Sequence, residues 1–73
     1  MGPTDRNPTT FDVVPLGELR WAVMGPAGRT ICTYSNEEAA IEFASIAAMG
    51  KLPARVRLLT SEGVITQEWD YPA

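Results

Sequence analysis

Apolar and polar side chains alternate along five short stretches of this chain, which predicts five β-strands. The stretches are residues 11–14, 19–24, 29–34, 54–60 and 64–69. A turn of Gly25, Pro26, Ala27 and Gly28 separates the second stretch from the third, which predicts a hairpin. Pro15 has no N–H to give to a ladder, so we expect it to end the first strand or to place that strand at an edge of the sheet.

One stretch, residues 35–50, follows the helical period instead. Ser35 and Glu38 form an S-x-x-E capping box, which predicts the start of a helix, and Gly50 predicts a left-handed cap at its end. Ile41 and Met49 are expected to lie off the apolar stripe. The residues expected on that stripe, at about 100° per residue, are Ala39, Ala40, Phe43, Ala44, Ile46 and Ala47.

The order of these elements predicts an α+β fold in two layers, in which one helix covers one face of an antiparallel sheet of four to five strands. Residues 1–10 contain two prolines and no large apolar side chain after Met1, which is typical of a disordered arm. Residues 11–70 are expected to form a single domain, and residues 71–73 a short tail.

Composition excludes several classes of function. The chain has no histidine, which removes the usual general base and the commonest metal ligand. Its single cysteine, Cys32, therefore lacks the partner that would activate it as a nucleophile. We expect no enzyme, no cofactor and no metal. The absence of a cysteine pair, a signal peptide and a membrane-length apolar run predicts a cytoplasmic protein.

The predicted sheet has one face that the helix does not cover. We expect that face to carry Arg20, Met24, Cys32, Tyr34, Arg55, Arg57 and Leu59. Arginines beside an aromatic ring suit a surface that stacks single-stranded nucleic acid. In the other interpretation, the arginines pair across strands with Asp12 and Glu68. A net charge of −3, from six basic and nine acidic residues, argues against nucleic acid.

Acidic and aromatic side chains at the end of the chain suggest a surface that binds a basic peptide, although a solvated terminus would have the same composition. The candidate partner-binding residues are Glu68, Trp69, Asp70 and Tyr71, together with Asp12, Arg20 and Arg57.

Four segments between residues 19 and 69 resemble a widespread small bacterial domain of unknown function. They are Trp21-Ala22-Val23, Ser35-Asn36-Glu37-Glu38-Ala39-Ala40-Ile41, Val56-Arg57-Leu58 and Gly63-Val64-Ile65. This resemblance implies a fold and no activity.

The whole chain of 73 residues, small and acidic, resembles the RNA-polymerase-binding transcription regulators of lytic Xanthomonas phages. The resemblance implies binding of host RNA polymerase at the N-terminal region of the β′ subunit, inhibition of initiation by displacement of σ, and antitermination. It also implies that the bound segment is basic and contains leucine. The alternatives are a single-stranded nucleic-acid-binding sheet protein and an interaction module for another partner. We expect a monomer in the host cytoplasm, with no membrane contact.

Overall fold

The computed structural model describes residues 7–73, which contain five β-strands and one α-helix. This confirms the predicted α+β fold. The strands are β1 (Thr9–Gly17), β2 (Arg20–Met24), β3 (Thr30–Tyr34), β4 (Ala54–Leu59) and β5 (Ile65–Tyr71), and the helix α1 (Glu37–Met49) lies between β3 and β4. Residues 1–6 of the predicted disordered arm lie outside the described residues. Thr9 and Thr10, also assigned to that arm, belong to β1.

The five strands form one mixed sheet in the order β3-β2-β1-β4-β5. The central pair, β1 and β4, is parallel, from Thr9 opposite Ala54 to Val13 opposite Leu58. The other three pairs are antiparallel. The expectation of a wholly antiparallel sheet is therefore wrong at β1 and β4. The connection through α1 returns the chain to the same end of the sheet, so that β4 runs beside β1 in the same direction.

Pro15 was expected to end the first strand or to place it at a sheet edge, but β1 is the central strand and continues past Pro15 to Gly17, which lies opposite Arg20 of β2. Beyond Val13 the ladder with β4 has ended, so Pro15 lies where β1 has a neighbour on one side only, and its missing N–H is tolerated there. Leu19 lies in the turn with a positive φ of 58° and is exposed. The expectation that the second strand begins at Leu19 is therefore wrong, since β2 begins at Arg20.

Both predicted caps of the helix differ from the observed ones. The Asn36 side chain, through Oδ1, accepts the N–H of Ala39 at 2.7 Å, so Asn36 and not Ser35 is the N-cap. At the other end Gly50 has φ −88° and ψ −2°, which is right-handed and not the expected left-handed conformation. The Gly50 N–H donates to the carbonyl of Ala47 at 3.1 Å.

The core lies between α1 and one face of the sheet. Ala40, Ala44 and Ala48 form the fully buried ridge of the helix, one turn apart. Ile41 packs against the core although it was expected off the stripe, and Ile46 is exposed although it was expected on it. The buried sheet residues beneath the ridge are Phe11, Val13, Val23, Ala54, Val56 and Leu58.

Candidate protein-binding surface

The face of the sheet opposite α1 carries an ion pair at its centre. Arg57 on β4 and Asp12 on β1 are register partners. The Arg57 Nε donates to Asp12 Oδ1 at 2.7 Å, and its Nη2 donates to Oδ2 at 3.0 Å. The two side chains are only 31% and 23% exposed. The hydrogen bond to Asp12 raises the pKa of Arg57 above its ordinary value. The predicted pairing of an arginine with Asp12 is confirmed.

A second arginine on the same face holds two carboxylates of β5. The Arg55 Nε donates to Asp70 Oδ1 at 2.7 Å and lies 3.7 Å from Glu68 Oε2. The hydrogen bond to Asp70 raises the pKa of Arg55. We call Asp12, Arg55, Arg57, Glu68 and Asp70 the charged face. Three carboxylates there share two guanidinium groups, so the charged face has an excess of negative charge.

The aromatic residues that were expected beside these acids lie on the other face of the sheet. Trp69 and Tyr71 pack against the core on the side of α1. The Tyr71 hydroxyl donates to Ser45 Oγ on the helix at 2.9 Å. Because side chains alternate along a strand, Glu68 and Asp70 point the opposite way. The candidate set is therefore divided between two faces.

Tyr34 and Cys32 also lie on the helix side, so the expectation that they line the uncovered face is wrong. Tyr34 packs against the core, and its ring centroid is 5.9 Å from that of Phe43. The neighbouring Cys32 thiol, chiefly through a side-chain hydrogen bond, raises the pKa of Tyr34 above its usual value. Because Tyr34 lies on the helix side, the uncovered face does not have the aromatic ring that was expected to stack on a nucleic-acid base.

Arg20, the remaining candidate residue, is not part of the charged face. It lies at the start of β2, next to the β1–β2 turn. There it lines a shallow cavity of about 220 Å³ together with Leu19, Thr33, Tyr34 and Ser35.

Strand β5 forms one edge of the sheet, a feature that the sequence interpretation did not identify. It pairs with β4 alone, and no strand in residues 7–73 lies on its other side. Five of its seven residues are exposed, including Glu68 and Asp70. Helix α1 packs mainly on β1, β2 and β4. The backbone groups along the outer side of β5 are therefore available to another chain.

Comparison with known proteins identifies no relative: no protein-family model, curated protein or solved structure matches this chain. Residues 7–73 contain no group of three or more histidine, cysteine or acidic side chains placed to hold a metal ion. In the same part of the chain, no helix has the length and hydropathy needed to span a membrane.

Proposed function

We propose that this protein is a regulator that binds bacterial RNA polymerase and holds a basic segment of the enzyme along the charged face and the free edge of β5. The observation that carries the proposal is the position of Glu68 and Asp70, two exposed carboxylates on an edge strand. The likeness to phage transcription regulators supports the N-terminal region of the β′ subunit as the segment bound.

The binding mode that this edge favours is strand addition. An extended segment placed beside β5 would form main-chain hydrogen bonds with the outer backbone groups of the strand, and alternate side chains of the segment would face the charged face. Lysine or arginine side chains at those positions would meet Glu68 and Asp70. Arg55 now holds Asp70, and it would share that carboxylate with the incoming cation.

The ion pair between Arg57 and Asp12 has a structural role in this proposal. It joins the central strands with two hydrogen bonds and is the less exposed of the two arginine sites. We assign it to holding the charged face in place rather than to contact with the partner.

The bound protein would cover part of the polymerase surface, and in this way it would change the affinity of the enzyme for σ. A bound state with lower affinity for σ shifts the enzyme away from the form that starts transcription. The same bound state, kept during elongation, would account for antitermination.

The test is binding of the purified chain to core bacterial RNA polymerase, measured by biolayer interferometry. The double variant E68K/D70K reverses both carboxylates at the edge, and we expect its affinity to fall at least about tenfold through like-charge repulsion. The matched control E38K/E42K makes the same change of charge on α1, on the other side of the sheet, and should bind like the parent chain.

Two results would contradict the proposal: equal affinity of E68K/D70K and the control, or no binding by the parent chain. Binding of single-stranded nucleic acid that is lost in R55E/R57E would favour the alternative of a nucleic-acid-binding sheet.

A further inference from the structure

The side of β5 that faces α1 carries two aromatic side chains that are only half-buried, Trp69 and Tyr71. Their register partners on β4 are Val56 and Ala54, which are 0% and 2% exposed. The Tyr71 hydroxyl reaches Ser45 on the helix. Both rings are therefore covered towards β4 and towards the core, and their exposed parts lie towards the outer side of β5. We call Trp69 and Tyr71 the aromatic pair.

Within residues 7–73, neither a strand nor the helix extends over that outer side. Strand β5 pairs with β4 alone, and α1 packs mainly on β1, β2 and β4. Gln67, the residue before the aromatic pair on the same side of β5, is exposed. A strand added beside β5 would therefore lie against the aromatic pair as well as against the charged face.

The charged groups of this region leave the aromatic side of β5 apolar. From Gln67 onwards, the side chains of β5 that face the helix side carry no charge. On the charged face, three carboxylates share two guanidinium groups. Lys51 is the only other basic residue between positions 50 and 73, and it is exposed in the loop that precedes β4. The two sides of β5 therefore favour different side chains in the same occupant.

We propose that the segment held along β5 alternates in character, with cationic side chains on the charged face and β-branched or aromatic side chains beside the aromatic pair. The period of two follows from the geometry of an extended strand, in which successive side chains point to opposite faces. Aromatic and β-branched side chains on neighbouring strands also form stabilising cross-strand pairs. This inference rests on the proposed function, because it specifies the segment that the same edge binds.

Three capped octapeptides test the alternation on the parent chain. In the first, lysine and valine alternate. The second has the same composition, but its lysines and valines follow one another in pairs, so that only half of them can face the preferred side. The third has serine in place of each valine of the first.

Each peptide is titrated into the ¹⁵N-labelled full chain at moderate salt, and the amides of residues 67–71 and the Trp69 indole N–H are followed by NMR. We expect the alternating lysine–valine peptide to bind at least about tenfold more tightly than either of the others. The paired peptide has the same charge and hydrophobicity, so its lower affinity isolates the effect of the alternation.

The variant W69A should reduce the preference for valine over serine at least about threefold, because half of the aromatic pair is lost. The matched control W21A removes the other tryptophan, which is also half-buried against the core but lies on β2, and should keep the preference. An amide spectrum with native dispersion establishes that each variant is folded. The peptide comparison on the parent chain needs no variant, so it decides the question even if W69A does not fold.

Four results would overturn this inference: no binding of the alternating peptide, equal affinity for the alternating and paired peptides, equal affinity for the valine and serine peptides, or an unchanged preference in folded W69A. Failure of the proposed function has a different signature. It is seen with polymerase, as an absence of binding by the parent chain or as unchanged binding by E68K/D70K.

Discussion

At the residue scale, the start of α1 depends on which of two adjacent side chains caps it. Serine and asparagine are both good N-caps, and the S-x-x-E pattern favours Ser35. In the structure β3 stays paired through Tyr34, opposite Trp21, and the extended backbone continues to Asn36, with φ −143° and ψ 156°. The helix therefore begins one residue later than the capping pattern predicts.

The substitution Asn36→Ala should destabilise the protein by about 1 kcal/mol, because the N–H of Ala39 loses its side-chain acceptor. Ser35→Ala should change the free energy of unfolding by less than about 0.5 kcal/mol, as expected at an exposed position with no structural role. Urea unfolding followed by circular dichroism measures both. An equal cost for the two variants would contradict the observed cap.

At the element scale, contact between α1 and the sheet depends on side chains that are small. Ala40, Ala44 and Ala48 are fully buried, and the sheet supplies most of the volume beneath them through valine, leucine and phenylalanine side chains. A helix whose buried ridge is alanine lies close to the sheet, so its packing has little room for additional atoms.

Ala44→Leu should cost about 1–3 kcal/mol, because the added atoms have no space between the helix and the sheet. The control Ile46→Leu changes an exposed residue of the same helix and should stay within about 0.5 kcal/mol of the parent chain. Thermal unfolding measured by circular dichroism compares the two. Tolerance of leucine at position 44 would show that the ridge is less tightly packed than the structure indicates.

At the scale of the whole molecule, the protection of backbone amides from hydrogen exchange should decrease from the centre of the sheet to its edges. Strand β1 pairs with β4 from Thr9 to Val13 and with β2 from Asp12 to Gly17, so it is paired on both sides at Asp12 and Val13, whereas β3 and β5 each pair on one side only. Backbone amides of β1 in that region should exchange most slowly with deuterium, and those of β5 most rapidly among the strands. Hydrogen exchange followed by NMR tests this. Equal protection in β5 and β1 would contradict the exposed edge.

Sequence alternation was enough to locate all five strands, because it records which side chains face the core. It contains no information on strand order or direction, so the parallel pairing of β1 with β4 and the edge position of β5 could not be read from it. The division of Glu68 and Asp70 from Trp69 and Tyr71 was available in the alternation itself. Grouping these residues by chemistry and position in the chain obscured it.

The central pairing of β1 with β4 also divides the sheet into two parts, each made of strands that are consecutive in the chain. Strands β1, β2 and β3 form one consecutive antiparallel unit, and β4 and β5 form another. Within the sheet, the single ladder from Thr9 to Val13 joins them. At high concentration, the β4–β5 hairpin of one copy can take the same place beside β1 of a second copy, so domain swapping would exchange whole hairpins at this ladder.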